Sequence, residues 1–316
     1  MTTSAEHGYI LGMGTACLDY IWQVGAYPAE DSKSQAEGVM VQGGGPVATA
    51  LVAAARLGVP SAYFGTLGDD PAGREIAAGL AREQVDIDHL RVVRGTSSQT
   101  AAVLVSRATG LRTVVWHPGT VPPPSADDLP EFVLGKARFL HLDGHHPETA
   151  LPLVRKARAL GVSVSLDAGS NYPWMKDLAP LADILIGSAR FGKDFTGAED
   201  PERMLDCLGS LGPTMVGITL GASGGLIEAH GERFGYPGFP IEAVDTNGAG
   251  DVFHGAFLSA LAHGAAARDA SIFASAAAAL KCTMPGGRSG IPARAKVLSF
   301  LRARGFTNAR GISFFA

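Results

Sequence analysis

The sequence predicts an α/β fold in which helices cover both faces of a mostly parallel β-sheet. Short apolar runs alternate along the chain with segments whose apolar residues recur at helical spacing, which is typical of parallel strands joined by crossover helices. The chain has 316 residues, of which 46% are hydrophobic and 18% charged, so it can bury a sizeable core. It contains no internal repeat, and we therefore expect one large domain.

Glycine, proline and acidic residues bound the predicted elements. The predicted strands are Tyr9–Gly14, Ala62–Leu67, Phe139–Leu142, Val162–Leu166, Asp183–Ile186, Thr214–Leu220 and Gly225–Ala229. The predicted helices are Val47–Leu57, Gly73–Gln84, Glu148–Leu160 and a segment after Asp251 that ends near Gly264. This alternation predicts the parallel sheet, because each helix returns the chain to the same edge of the sheet.

Two segments do not follow the alternation. Residues 15–41 contain no clear crossover helix, and Ala101–Ser106 and Thr113–Trp116 have the pattern of a β-hairpin. Composition alone describes both segments as β-rich excursions from the main sheet.

Charge and cysteine content exclude several classes of protein. The net charge is −4 and no long basic run is present, which argues against nucleic acid or an anionic membrane as a partner. The three cysteines are widely spaced and form neither a disulfide framework nor a zinc motif. We find no signal peptide and no apolar window long enough to span a membrane, so we expect a cytoplasmic protein.

The most informative stretch is Asp245-Thr246-Asn247-Gly248-Ala249-Gly250-Asp251, a glycine-rich turn that leads into a helical pattern. The first turn of a helix carries free N–H groups and a partial positive charge, and glycines let an anion approach the backbone. These residues therefore predict an anion hole with Asp251 at its edge. A carboxylate beside a phosphate site favours a base in phosphoryl transfer, although a shorter run would indicate only a capped helix.

The complete run resembles the D-T-x-G-A-G-D signature of the PfkB, or ribokinase-like, carbohydrate kinases. The loop that ends at Pro292 is most similar to the branch that contains sulfofructose kinase. The resemblance implies a ribokinase-like three-layer α/β/α sandwich over residues 1–316, with its core at about 1–14, 42–95 and 118–316. It also implies a small β-sheet lid, about 15–41 and 96–117, that covers the sugar site and pairs two subunits in a homodimer.

The same resemblance implies ATP-dependent phosphorylation of a sugar hydroxyl, predicted to be primary, with Mg²⁺ as a cofactor. Asp251 would be the catalytic base, and Gly248, Ala249 and Gly250 would stabilise the transferred group. The residues expected to contact the nucleotide are Thr219, Gly221, Gly224, Gly248 and Gly250. The loop Lys281–Pro292 would border the adenine pocket, and Asp245 is the expected place for a monovalent cation such as K⁺.

The run Gly43-Gly44-Gly45-Pro46 resembles the first PfkB signature, where glycines open a helix that supports the sugar. The residues expected to bind the substrate are Asp19, Gly44, Gly45, Thr49 and Asp251. The family usually has Asn in place of Thr49, and this shorter side chain favours an acceptor other than ribose or fructose.

A nucleoside or a sulfonated sugar is therefore an alternative acceptor. Arg107, Arg112 and His117 are candidate contacts for an anion, but a solvated hairpin face explains them equally well.

A second departure concerns the N-x-x-E motif that helps hold Mg²⁺ in this family. The matching stretch, Ser188–Phe191, has neither residue. We expect ATP phosphates and water to hold Mg²⁺, with Asp183 or Asp194 nearby. The departures leave open a non-catalytic regulator that binds sugar or nucleotide, whereas the retained Asp251 favours a kinase.

Two further patterns indicate other chemistry. Gly12-Met13-Gly14 begins a near match to the dinucleotide fingerprint of oxidoreductases, but Cys17 replaces the third glycine and no helix follows. The run from His141 to His146, which includes Asp143 and His145, resembles a metal cluster. We favour a substrate-facing loop at the carboxyl end of a parallel strand, with Asp167 similarly placed.

Overall fold

A nine-stranded sheet forms the centre of the structure, a computed structural model that describes residues 8–109 and 111–306. Its strands, in spatial order, are Glu232–Tyr236 (β15), Gly225–Ala229 (β14), Met215–Thr219 (β13), Ile184–Ser188 (β12), Ser163–Ala168 (β11), Ala137–Leu142 (β10), Tyr9–Met13 (β1), Ser61–Tyr63 (β4) and Val85–Asp86 (β6). Neighbouring strands are parallel from β13 to β6, and β14 and β15 extend the sheet as antiparallel strands.

Helices cover both faces of this sheet. They are Pro46–Arg56 (α1), Pro71–Arg82 (α2), Glu131–Leu134 (α3), Pro147–Ala159 (α4), Met175–Leu178 (α5), Ala189–Thr196 (α6), Pro201–Gly209 (α7), Ala249–Ala262 (α8), Ala267–Cys282 (α9) and Arg294–Arg302 (α10). Short 3₁₀ turns cover Ala126–Asp128, Ala179–Leu181 and Gly221–Ser223. Alternate strand residues contribute to two separate cores, so that Ile10 belongs to the core shared with α1, α8 and α9, while Leu11 belongs to the core shared with α4 and α7. The predicted three-layer α/β/α fold is confirmed.

A second sheet of four strands, called here the small sheet, lies apart from the central one. Its order is Gly38–Gly44 (β3), Cys17–Val24 (β2), Thr100–Ser106 (β8) and Arg112–His117 (β9). The β8–β9 pair is the predicted hairpin, and its turn includes residue 110, which lies outside the described residues. The small sheet thus joins the two segments that the alternation did not explain.

The predicted strand Ala62–Leu67 is wrong as a single element. Of this segment, only β4 belongs to the central sheet. The last hydrogen bond that joins the segment to this sheet runs from the amide of Phe64 to the carbonyl of Gly12. Residues Gly65–Gly68 (β5) turn away and pair in parallel with Leu90–Val93 (β7). A Cβ at Gly65 would lie 2.6 Å from the Tyr63 ring, so this change of direction needs a glycine.

The course of the chain after β1 removes the dinucleotide-binding interpretation. Gly14 is followed by β2 and not by a helix, so no helix N-terminus is available there for a pyrophosphate. In the part of the chain that the structure describes, no helix is long and apolar enough to span a membrane. The end segments 1–7 and 307–316 of the predicted domain lie outside the described residues.

Candidate active site

The signature run forms a tight turn at the start of α8. Gly248 has a φ of 74°, and a Cβ there would lie 2.8 Å from the carbonyl oxygen of Gly287. Glycine is therefore needed for both conformation and space. Helix α8 follows directly, with Asp251 in its first turn, where the backbone amides have no partner within the helix.

This first turn separates two cavities. Gly248 and Asp251 line a cavity of about 290 Å³, called here the Asp251 cavity. Ala249 and Gly250 line a second cavity of about 520 Å³, the Gly250 cavity. A Cβ on Gly250 would meet no atom within 4 Å, so the backbone is open on that side. A carboxylate and a set of helix N-terminal amides thus lie at the junction of two cavities.

The small sheet forms one wall of the Asp251 cavity. Arg112, Val114 and Trp116 alternate along β9 and face this cavity. The five residues predicted to bind substrate, Asp19, Gly44, Gly45, Thr49 and Asp251, all line it. The structure therefore brings this predicted set together from β2, β3, α1 and α8.

Asp19 is buried at the floor of this cavity and is 6% exposed. The Cys17 thiol donates a hydrogen bond to its Oδ1 atom at 3.0 Å. A Cβ on Gly44 would lie 2.2 Å from Asp19 Oδ2, which explains why a glycine faces this carboxylate. Burial raises the pKa of Asp19, while the Cys17 thiol and the Arg288 guanidinium oppose that rise.

Arg288 lies behind the floor of this cavity, and it was not among the site residues predicted from the sequence. It is 5% exposed, and it donates from Nε to Thr49 Oγ1 at 3.2 Å and from Nη2 to the Gly44 carbonyl at 2.8 Å. A Cβ on Gly43 would lie 2.3 Å from Arg288 Nη1. The short Thr49 side chain thus has a buried guanidinium as its neighbour, and Gly43, the first glycine of the Gly43-Gly44-Gly45 run, was the available signal.

The histidine-rich run lies at the opposite wall of the same cavity. His145 and Tyr172 line it, and their side chains are 3.0 Å apart between Nε2 and the hydroxyl. His145 Nδ1 lies 3.1 Å from Asp143 Oδ1, an ion-pair contact, and Asp143 also accepts the Thr15 amide at 2.7 Å. Burial raises the pKa of Asp143, but the His145 side chain and the backbone amides of Thr15 and His145 outweigh this effect and hold the pKa well below its usual range. This run is therefore a loop at the cavity, as we favoured.

Asp251 has the electrostatic character expected of a base. Burial is the main cause that raises its pKa to about 7, and the Asp167 and Asp143 carboxylates add to this rise. His254 and Arg112 act in the opposite direction. A carboxyl with a pKa near neutrality can accept a proton from a hydroxyl at physiological pH more readily than an ordinary one.

The Gly250 cavity gathers the other predicted residues. Thr219, Gly221 and Gly224 line it together with Ala249 and Gly250, whereas Gly248 faces the Asp251 cavity instead. Gly224 has a φ of 86°, and a Cβ there would lie 2.1 Å from the Tyr236 carbonyl. The remaining lining is mainly apolar and includes Phe239, Ile241, Ala278 and Ala279. No Asp or Glu is among the described residues that line this cavity.

The loop after α9, predicted to border the adenine pocket, reaches both cavities. Cys282 lines the Gly250 cavity and Gly287 lines the Asp251 cavity. Asp245 lines neither, because it is buried behind the turn and is 2% exposed.

Several candidates from the sequence lie away from both cavities. Asp183 is at the start of β12, at the opposite edge of the sheet, where it accepts the Val164 amide and pairs with Arg158 at 3.0 Å. It is therefore wrong as a magnesium neighbour. Asp194 is exposed on α6 and lies 3.7 Å from Arg190.

Of the three candidate anion contacts, only Arg112 lines a cavity. Arg107 pairs with Glu37 at 2.9 Å on the exposed hairpin, and His117 Nδ1 accepts the amide of Gly119. A solvated hairpin face therefore accounts for both residues.

Comparison with known proteins gives a consistent group of relatives. The sequence profile of the pfkB family carbohydrate kinases matches residues 10–294. The ribokinase of Haemophilus influenzae is 27% identical over 302 residues, covering 92% of this chain and 97% of that protein. The ATP-dependent ribose-1-phosphate kinase of Halopiger xanaduensis is 28% identical over 302 residues, covering 93% and 98%. The solved structure of Arabidopsis thaliana ribokinase complexed with ribose and ATP has a TM-score of 0.83 at 26% identity, covering 93% of this chain and 99% of that one.

Proposed function

The chain belongs to the pfkB family of carbohydrate kinases, and we propose that it transfers the γ-phosphoryl group of ATP to a primary hydroxyl of a sugar. The observation that carries this proposal is the position of Asp251 at the junction of two cavities. One cavity has a mixed polar and apolar lining and is rimmed by the small sheet, and the other is larger and mainly apolar. A phosphoryl transfer between two bound molecules needs this arrangement, because acceptor and donor must meet at the base.

The chemical step follows from the first turn of α8. Asp251 accepts the proton of the acceptor hydroxyl as its oxygen attacks the γ-phosphorus, and the bond from phosphorus to the bridging oxygen of ADP breaks. The amides of Gly248, Ala249 and Gly250 stabilise the charge on the transferred group. Arg112 adds a positive charge from β9 at the same place, since it lines the Asp251 cavity and donates to Thr246 Oγ1 at 3.0 Å.

The Asp251 cavity is the proposed acceptor site. The Asp19 carboxylate, the Thr49 hydroxyl and the backbone at Gly44 and Gly45 offer the acceptors and donors that sugar hydroxyls need. A cavity of about 290 Å³ suits a monosaccharide or a compact derivative.

The Gly250 cavity is the proposed ATP site. Its apolar wall of Phe239, Ile241, Ala278 and Ala279 suits a flat base, and the Thr219 hydroxyl would contact the phosphates. Mg²⁺ would neutralise phosphate charge when bound. Because no carboxylate lines this cavity among the described residues, the phosphates of ATP and water would supply its ligands.

A phosphorylated or sulfonated sugar is a second candidate acceptor. Arg112 and His145 both line the Asp251 cavity, and the Asp143 carboxylate raises the pKa of His145 against the effect of burial. The Arg112 guanidinium and an imidazole that can donate hydrogen bonds at the same acceptor site favour a substrate with an anionic group of its own. The relative from Halopiger xanaduensis, named as a ribose-1-phosphate kinase, supports the same possibility.

The outer face of the small sheet supports a homodimer. Tyr20, Trp22, Val39, Val41 and Val115 are exposed there, and the register places Tyr20 beside Val41 and Trp22 beside Val39. A contiguous apolar face on an otherwise polar surface is typical of a protein interface. A second copy of this chain is the proposed partner, and the small sheet would then act as both lid and interface.

An acceptor panel tests the proposed function. ADP release would be measured with ribose, fructose, ribose 1-phosphate, a sulfonated hexose and adenosine, each with Mg²⁺ and ATP. We expect a free or anionic pentose or hexose to stimulate ADP release, and Asp251→Asn to abolish that stimulation. No ADP release with any acceptor would favour the non-catalytic regulator, and ADP release that no acceptor stimulates would contradict the proposed transfer.

A further inference from the structure

Lys281 is a fully buried charged residue that the proposed chemistry does not use. It lies in the last turn of α9, is 0% exposed, and donates from Nζ to the backbone carbonyl of Asp245 at 2.8 Å. Asp245 is the place at which the sequence predicts a monovalent cation such as K⁺. A side-chain ammonium therefore lies where an inorganic cation was expected.

The oxygen atoms of Asp245 are already in use. Oδ1 accepts the amide of Asn247 and Oδ2 accepts the amide of Gly286, each at 2.8 Å. The carbonyl oxygen accepts Lys281 Nζ. A bare cation needs several oxygen ligands at once. With the Lys281 ammonium on the Asp245 carbonyl, no oxygen of Asp245 is left without a hydrogen bond. The residues present do not fit K⁺ at this point.

The loop after α9 is built around this arrangement. Gly286 has a φ of 84°, and a Cβ there would lie 2.5 Å from Gln42 Nε2, so only glycine brings its amide to Asp245. The amide of Val244 donates to the Cys282 carbonyl at 2.8 Å, which joins the signature run to the end of α9. The ammonium is therefore held at the carbonyl of Asp245, and Asp245 precedes Thr246 by one residue and Asp251 by six.

The charge balance supports a structural role for this ammonium. A buried ammonium is costly unless a compensating charge lies close to it, and Asp245 provides that charge. Burial lowers the pKa of Lys281, while the Asp245 carboxylate acts in the opposite direction. Removing the ammonium would leave a buried carboxylate without its cation beside the anion hole.

We propose that the Lys281 ammonium replaces a monovalent cation behind the signature turn, so that this kinase orders Gly248–Asp251 without added K⁺. The effect on catalysis rests on the proposed function, whereas the effect on the fold does not. A cation that is part of the chain is always present, so the turn does not depend on the salt in solution.

The test compares two salts at equal ionic strength, K⁺ and tetramethylammonium, the second being too large to enter the site. Wild-type ADP release and melting temperature should be the same in both. Lys281→Ala leaves space for an ion, so its activity should fall roughly tenfold or more in tetramethylammonium and recover in K⁺, with a parallel rise in melting temperature. Lys281→Met is neutral and fills the space, so K⁺ should not rescue it.

Lys296→Ala is the matched control, because this lysine is exposed on α10. It should show no difference between the salts. A wild-type protein that K⁺ activates or stabilises would overturn the proposal, and so would an alanine variant that K⁺ neither reactivates nor stabilises. If no acceptor stimulates ADP release by the wild type, the proposed function fails, while the melting temperatures still decide the role of Lys281.

Discussion

His254 Nε2 lies 3.2 Å from Asp167 Oδ1, and both residues are buried between α8 and the end of β11. His254 follows Asp251 by three residues on the same helix, so the pair lies behind the proposed base. The neighbouring His141 is held neutral, since burial and the His254 charge lower its pKa to about 4. His254, and not His141, is thus the imidazole positioned to balance the Asp167 carboxylate.

Replacing the two members of this pair should shift the pH profile of activity in opposite directions. Asp167 raises the pKa of Asp251 and His254 lowers it, so Asp167→Asn should move the acid limb of kcat/KM to lower pH and His254→Asn should move it to higher pH. We expect each shift to be about one pH unit. The measurement is the rate of ADP release against pH at low acceptor concentration.

The other groups whose charge acts on Asp251, or that Asp251 acts on, are Asp143, Arg112, Cys17, Lys281 and Arg288, and none of them changes in these variants. His230→Asn, an exposed histidine in the β14–β15 turn, is the control and should leave the profile unchanged. Shifts of the same sign for both variants would show that the pair acts only on packing.

Replacing the base should separate activity from stability. Asp251→Asn should lower kcat by roughly a hundredfold to ten-thousandfold, because the proton has no acceptor. The same variant should be more stable than wild type at pH 8. The pKa of Asp251 rises from 3.8 to about 7 on folding, so ionising it destabilises the folded protein increasingly from about pH 4 to pH 7, and fully above that.

Denaturant unfolding at pH 5 and pH 8 measures this difference. The gain in unfolding free energy at pH 8 should be roughly 2 kcal/mol after allowance for solvent screening, and it should shrink at pH 5. Equal stability changes at the two pH values would contradict the raised pKa of Asp251.

Local sequence patterns predicted the parts of this molecule that depend on local chemistry. The turn at Gly248 and the helix after it follow from glycine conformation and apolar spacing, and the predicted substrate residues meet in one cavity. Arg288 and Lys281 were missed as functional residues because their partners, Thr49 and Asp245, are distant in sequence. The spacing of apolar residues along the chain does not predict a contact between residues so far apart in sequence. Asp183 was misplaced for a different reason: it begins the predicted strand Asp183–Ile186, and the amino end of a parallel strand lies away from a site at the carboxyl ends.

Arg112 should affect turnover more than folding. Its guanidinium bridges β9 to Thr246 at the junction of the two cavities, so Arg112→Ala removes positive charge where phosphoryl charge develops. We expect kcat to fall roughly tenfold to a hundredfold, and the acid limb of the pH profile to move to higher pH because Arg112 also lowers the pKa of Asp251.

Arg107→Ala is the matched control, because this arginine lies on the same hairpin and pairs with Glu37 away from both cavities. If Arg112 also binds an anionic acceptor, its loss should raise KM for ribose 1-phosphate more than for ribose. Equal effects of the two alanine variants on kcat would remove Arg112 from the site.

Arg288 should govern acceptor affinity rather than the chemical step. It holds the Gly44 carbonyl and the Thr49 hydroxyl from behind the cavity floor, and no step of the reaction needs it. Arg288→Met should raise the acceptor KM roughly tenfold with a smaller change in kcat and in KM for ATP. Initial-rate kinetics with each substrate varied in turn would show this split. A roughly tenfold fall in kcat with no change in the acceptor KM would contradict a role in holding the acceptor.

The outer face of the small sheet should control the oligomeric state. Val115 is 68% exposed and lies beside Ala102 on the outer face of the small sheet, so Val115→Asp should convert a dimer into a monomer. Light scattering coupled to gel filtration measures the mass. Val92→Asp, at an exposed valine of β7 outside the small sheet, is the control and should stay dimeric. Because Val114 and Trp116 line the Asp251 cavity from the opposite face, the monomer should also bind the acceptor more weakly. A wild-type monomer, or a Val115→Asp dimer, would show that this face has another role.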